Sequence, residues 1–283
     1  MFLQFIDKKV RLNDKTHFET TNRSSFTVIK TILITMKTLI PSSKTILSLL
    51  MGMFVTITIA GKTHNRVFGS EMETFNAVYE GEFDLILPEN NQNEKLPVYI
   101  VLPGGVGAKK YPNFKKDFII PGIENMQGIV FSPKISWKRP DKKALEHIII
   151  DFINAARNSY PIDDKKIVLI GYSNGALQSI KLVKDNDHLF SALIVVASNF
   201  EVSDKINTPI YVVHGTKDRY FSIKKAYKNV NAAKDLGCNI TFVVAEGKND
   251  YGAAQYVSEL NDSMVQIENN IWSQSVEYTD QRF

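Results

Sequence analysis

A continuous apolar run at 167–170 leads without interruption into Gly171-Tyr172-Ser173-Asn174-Gly175, and the helix-forming stretch ALQSIKLV follows at once. Such a run is what a central parallel strand buried on both faces requires. The pentapeptide fits G-x-S-x-G, a strand-to-helix turn so tight that a side chain at either glycine would collide with the neighbouring strand or helix. The turn thrusts Ser173 outward, which is the placement a nucleophilic hydroxyl needs.

The rest of the chain agrees with a repeated strand–helix plan. Strand-like segments at 83–87, 98–102, 129–132, 192–196, 210–213 and 240–244 alternate with stretches long enough for helices, and 253–272 supplies the last of these. Within 141–160, Leu145, Ile148, Ile149, Phe152 and Ala156 recur at i, i+3, i+4, i+7 and i+11, and Asp141 can cap the helix just after Pro140. This alternation predicts an α/β domain over 77–283 with a mainly parallel sheet. It shows neither an internal repeat nor a second domain boundary.

Composition narrows the functional classes. A formal charge of +4 is spread over 283 residues without a long basic run, so a nucleic-acid groove is not expected. Cys238 is the only cysteine, which removes internal disulfides and cysteine-based zinc sites, and its apolar setting reads as a buried thiol. No cofactor motif is present. Near the start, Lys37 and Lys44 precede an uncharged stretch at 45–61, shorter than the ~20 residues that span a bilayer comfortably. Residues 36–61 therefore read as a signal peptide, or else an N-terminal anchor, and place the protein outside the cytoplasm: secreted, periplasmic or at the cell surface. A signal peptide begins at its initiating methionine, so Met36 is the expected start and residues 1–35 an extension of the reading frame or a disordered segment.

The segments PIDDKKIVLIGYSNGA, VLPGG and TPIYVVHGTKDRYF together resemble the α/β-hydrolase superfamily, over residues 96–254, nearest to its dienelactone hydrolase, phospholipase/carboxylesterase and secreted esterase branches. The resemblance implies an α/β-hydrolase fold, a mainly parallel central sheet flanked by helices, without a large lid. It also implies roles. Ser173 corresponds to the nucleophile. Asn174 and either Gly105 or Val106 correspond to the backbone donors of an oxyanion hole, each such donor being worth roughly 3 to 4 kcal/mol in the transition state. Pro103 stands where many relatives carry histidine, a mild exchange because the donors are backbone groups. Asp218 matches the triad acid, following Ser173 in chain order. His214, in the same motif, matches a structural position.

The departure from the pattern comes after the last strand. The triad histidine should stand there, and the matching text, Ala245-Glu246-Gly247-Lys248-Asn249-Asp250, has Asp250 in its place. No histidine follows Asp218. His17, His64, His147, His188 and His214 all precede it, with His147 expected on the solvated side of the 141–160 helix and His188 toward the far end of the sheet. An unperturbed carboxylate has a pKa near 4, a far weaker base than imidazole, and a second carboxylate beside it repels it. Coupling between the two could leave one proton shared and one carboxylate able to act as a weak base. Lys248 is a remoter candidate, since a lysine base must be desolvated.

Two functions lead as expectations, ahead of a structural surface protein with no ligand. One is a serine hydrolase of carboxylic esters, small or polymer-derived, impaired by the missing histidine. The other is an inactive, hydrolase-like binding protein. Trp137 could line the substrate pocket, and the short interval between Ser173 and Asp218 leaves no room for the lid of an interfacial lipase.

Overall fold

The computed structural model describes residues 70–88, 95–105, 110–123, 126–135, 142–250 and 252–273, all within one compact unit, Val67–Phe283. Residues 1–61, on which the expected signal peptide or anchor and the expected extension fall, together with Val106, Trp137 and the Asp141 cap, lie outside the described residues.

Seven strands form one sheet: β1 (Phe83–Ile86), β2 (Leu96–Leu102), β3 (Ile129–Pro133), β4 (Ile162–Tyr172), β5 (Ala192–Val196), β6 (Ile210–Gly215) and β7 (Ile240–Ala245), in the order β1-β3-β2-β4-β5-β6-β7. Every pairing is parallel except β1 with β3. The described helices are α1 (Ser70–Val78), α2 (Tyr111–Phe114), α3 (Ile120–Ile123), α4 (Lys142–Ser159), α5 (Asn174–Asp185), α6 (Ile223–Asp235) and α7 (Val257–Ile267), with a π-helical turn at Lys115–Ile119 joining α2 to α3.

Strand periodicity divides the core into two layers. Val98, Ile100, Leu102, Ile167 and Leu169 face one side, where α1, α4, α5 and α6 pack. Tyr99, Val101, Val168, Ile170 and Tyr172 face the other, covered by the α2–α3 segment and α7. A strand covered on both faces must be apolar at successive positions, which is why the run at 167–170 was so continuous. The helix foreseen at 141–160 is α4, and Leu145, Ile148, Ile149, Phe152 and Ala156 are all buried. Its neighbour α1, which starts before residue 77, is held by a bond from the Met72 N–H to Ser159 Oγ at 3.2 Å.

Parallel pairing also aligns the strand ends. Leu102 pairs with Gly171, Tyr172 with Val196, Val196 with Val213, and Gly215 with Ala245. The loops after β2, β4, β6 and β7 consequently emerge along one edge of the sheet, the carboxyl edge where open α/β sheets bind their ligands.

Phe131 and Phe152 stack at 4.0 Å between centroids and are fully buried between sheet and α4. Phe152→Ala should cost about 3 to 5 kcal/mol of unfolding free energy, read from the midpoint of a urea transition.

Candidate active site

Ser173 occupies the turn between β4 and α5 with φ 52 and ψ −116. Among the described non-glycine residues only Ser173 and Ala197 have positive φ, and Ala197 is buried whereas Ser173 is partly exposed. Such backbone costs of the order of 1 to 3 kcal/mol and persists because its surroundings impose it. The Ser173 N–H is tied to the Val196 carbonyl at 2.9 Å, and its own carbonyl accepts from Ala176 N at 3.0 Å. The glycines explain the closeness. A Cβ on Gly171 would stand 2.5 Å from both Ala176 Cα and Ser179 Oγ, and one on Gly175 would run into the carbonyl oxygens of Leu102 and Pro103. Helix α5 thus begins directly against the end of β2.

The glycine loop after β2 lies beside the serine. A Cβ on Gly104 would meet Ser173 Cβ at 3.0 Å and the Tyr172 ring at 2.5 Å. Gly105 has φ +82, and its carbonyl accepts a bond from Asn174 Nδ2 at 3.2 Å. Asn174 opens α5, so its backbone N–H belongs to the first turn, where no intrahelical acceptor is available and the helix dipole is positive. The anchor between its side chain and Gly105 is a feature the G-x-S-x-G pattern does not announce.

The loops after β6 and β7 are laced together. Thr216 N donates to the Ala245 carbonyl at 3.1 Å, Lys217 N to the Lys248 carbonyl at 2.9 Å, and Gly247 N to Thr216 Oγ1 at 2.9 Å. This lacing brings Asp218 and Asp250 to one turn. Asp218 Oδ1 accepts from Tyr220 N at 2.9 Å and Phe221 N at 2.8 Å, while Asp250 Oδ1 accepts from Arg219 N at 3.1 Å. Three successive N–H groups therefore clamp both carboxylates. The second oxygen of each, Oδ2, is buried and has no hydrogen-bond partner.

His214 is fully buried on β6, its Nε2 2.6 Å from the Phe221 carbonyl. A carbonyl only accepts, so Nε2 carries the proton and directs it there, although Asp218 Oδ2 is 3.8 Å away. His214 is thus a brace for the turn. His147 is exposed on α4, and His188 is exposed on the turn that precedes β5, at the opposite end of the sheet. Lys248 is engaged with Glu259 at 2.5 Å.

Two tyrosines complete the surroundings. Tyr172 and Tyr256 lie 6.2 Å apart between centroids, and the Tyr256 hydroxyl donates to the Asn249 carbonyl at 2.8 Å, next to Asp250. Burial, and then the charges of Asp218 and Asp250, push the Tyr172 phenol up to about 12. Burial, and after it the Asp218 charge, raises Tyr256 as well. Nothing in local sequence spacing singles out Tyr256. Tyr172 is the variable residue of the motif and carried no signal beyond its size.

Similar folds occur in solved structures of low identity. An S-formylglutathione hydrolase from Staphylococcus aureus is 12% identical, with 65% of this chain and 91% of that one covered and a TM-score of 0.53. Est1E from Butyrivibrio proteoclasticus is 15% identical over 66% and 94% of the two chains, again at 0.53. The fluorophosphonate-binding serine hydrolase F of Staphylococcus aureus, with substrate bound, is 11% identical over 65% and 91%, at 0.52. No protein-family model matches the sequence, and no curated protein matches it either. The described unit has the α/β-hydrolase fold, and no lid is inserted between Ser173 and Asp218, where every residue is described.

Two outcomes follow. Asn174→Ala frees Gly105 and should lower the rate of covalent labelling at Ser173 about tenfold, with thermal stability nearly unchanged. A tyrosine ionises near pH 10 when unfolded, so the raised Tyr172 pKa contributes stability that is intact below pH 10 and lost as pH rises through about 12. Urea midpoints measured from pH 9 to 11.5 should fall, and Tyr172→Phe should flatten that fall.

Proposed function

We propose that this protein is a serine hydrolase of carboxylic esters, small or polymer-derived, in which Ser173 is the nucleophile and the Asp218–Asp250 pair replaces the usual histidine and its acid. The observation that carries the proposal is the strained Ser173 turn, with the helix N-terminus on one side and the pinned Gly105 loop on the other. A conformation that costs energy at one partly exposed serine is a feature of sites that use the hydroxyl.

In the acyl-transfer step Ser173 Oγ bonds to the ester carbonyl carbon, and its proton passes to a carboxylate of the pair. The charge that develops on the carbonyl oxygen is met by the N–H of Asn174 and by a second backbone donor at Gly105 or Val106. Collapse expels the alcohol, which recovers the proton, and water then repeats the sequence on the acyl-enzyme. A carboxylate makes this slow. Removing the triad from a serine protease costs on the order of a million-fold, and about a thousand-fold over water persists through the oxyanion hole and binding.

The other reading is a binding protein that has kept the pocket and given up turnover. The absence of imidazole after β7 favours it. The N-terminal segment 36–61 fits export, so the substrate or ligand is extracytoplasmic in either case.

Asp250→His decides between the two. Restoring an imidazole beside Asp218 should raise turnover of p-nitrophenyl acetate by at least about a hundred-fold, the modest end of general-base effects, and Ser173→Ala in that background should abolish the gain. A folded Asp250→His protein with no gain would mean that the site has left triad geometry, and would favour the binding-protein reading.

A further inference from the structure

We infer that the Asp218–Asp250 pair is a subsite for a cationic nitrogen, so that the esters taken by this site carry a protonated amine within reach of Ser173. The inference rests on the hydrolase reading above and names the class of substrate.

It starts from what each carboxylate lacks. Their Oδ1 atoms are saturated by the N–H groups of Arg219, Tyr220 and Phe221. Their Oδ2 atoms are both buried and without a donor, and Asp218 as a residue is only 7% exposed. Buried carboxylate oxygens without donors are costly, and each such group calls for an explanation. Among the described residues the one ion-pair contact to these oxygens is His214 Nε2, which stands 3.8 Å from Asp218 Oδ2, beyond hydrogen-bond distance. His214 gives its Nε2 proton to the Phe221 carbonyl, Lys248 is committed to Glu259, and Lys217 and Arg219 are exposed.

In the pattern this chain resembles, the residue after the last strand is a histidine that turns positive during the reaction, facing the acid. Here that position is negative. The two unpartnered Oδ2 atoms call for donors, and a ligand that brings several N–H groups is the source the geometry leaves. A divalent metal fits poorly, because no group of three or more His, Cys, Asp or Glu side chains able to hold one occurs among the described residues. A protonated amine needs no such cage. It carries up to three N–H donors, enough to serve both Oδ2 atoms.

The aromatic groups agree with a cation. Tyr172 and Tyr256 are near enough to feel the charges of Asp218 and Asp250, and Tyr220, on the clamping turn itself, is 73% exposed, an aromatic face available to an approaching ammonium.

The test uses the whole chain at low ionic strength and compares n-butylammonium chloride with 1-butanol by titration calorimetry. The ammonium should bind at least tenfold more tightly than the alcohol, a difference of about 1.4 kcal/mol. Asp218→Asn and Asp250→Asn, each checked for cooperative urea unfolding, should each weaken ammonium binding about tenfold and bring the two ligands close to parity. Equal binding of ammonium and alcohol, or ammonium binding unmoved by both substitutions, overturns the subsite. If neither variant folds, the comparison on the unmodified chain alone decides. Ester kinetics keep the two claims apart. Turnover of neutral p-nitrophenyl valerate at the same kcat/KM as the 5-aminovalerate ester would sink the subsite and leave the hydrolase. Ammonium binding with no turnover of either ester, in this chain or in Asp250→His, would sink the hydrolase and leave the subsite.

Discussion

The close approach of α5 to the ends of β2 and β4 governs everything at the carboxyl edge. It exists because Gly171 and Gly175 carry no side chains where Ala176, Ser179 and the Leu102 and Pro103 carbonyls press against them. With the helix held that near, the connecting residue has one route, and Ser173 takes it at φ 52. The strain is supported by strands buried on both faces, from Val98 to Leu102 and from Ile167 to Tyr172. The same approach lays Gly104 against Ser173 and lets Asn174 hold Gly105. One packing constraint thus sets the serine, the helix terminus and the loop together.

A second constraint is electrostatic. The β6 and β7 loops are laced so that one turn, Arg219 to Phe221, offers its N–H groups to two carboxylates at once. Those donors satisfy one oxygen of each carboxyl group and leave the other buried without a partner. On the proposed reading, turnover and ligand choice both depend on what meets those two oxygens.

Much of this was legible beforehand, for reasons that differ by element. The strands β2 to β6 announced themselves because burial on both faces demands unbroken apolar runs, β7 by a similar run although it lies at the sheet edge with Val244 exposed, and α4 because one face of a helix repeats every three to four residues. Ser173 was legible because its turn needs two glycines at fixed spacing. The helical segment from Tyr111 to Ile123 was not, since Pro112, Pro121 and Gly122 interrupt a pattern whose buried positions, Tyr111, Phe114, Phe118, Ile119 and Ile123, are nonetheless helical in spacing. Strand β4 begins five residues before the run at 167, in Asp-Asp-Lys-Lys text whose side chains are largely solvated. The antiparallel course of β1 leaves no local trace at all. At the site, the sequence pointed to Asp218 and Asp250 as candidates, but their shared turn, the His214 brace and the Tyr256 contact join residues from separate elements and have no signature in spacing.

The claim that Ser173 is an activated nucleophile is tested most directly by intact-mass spectrometry after exposure to an alkyl fluorophosphonate, with peptide mapping of the adduct. The account predicts one slowly formed phosphonyl group per chain, located on Ser173 and absent from Ser173→Ala. A folded protein that stays unlabelled after prolonged exposure, or one labelled at another residue, would contradict it.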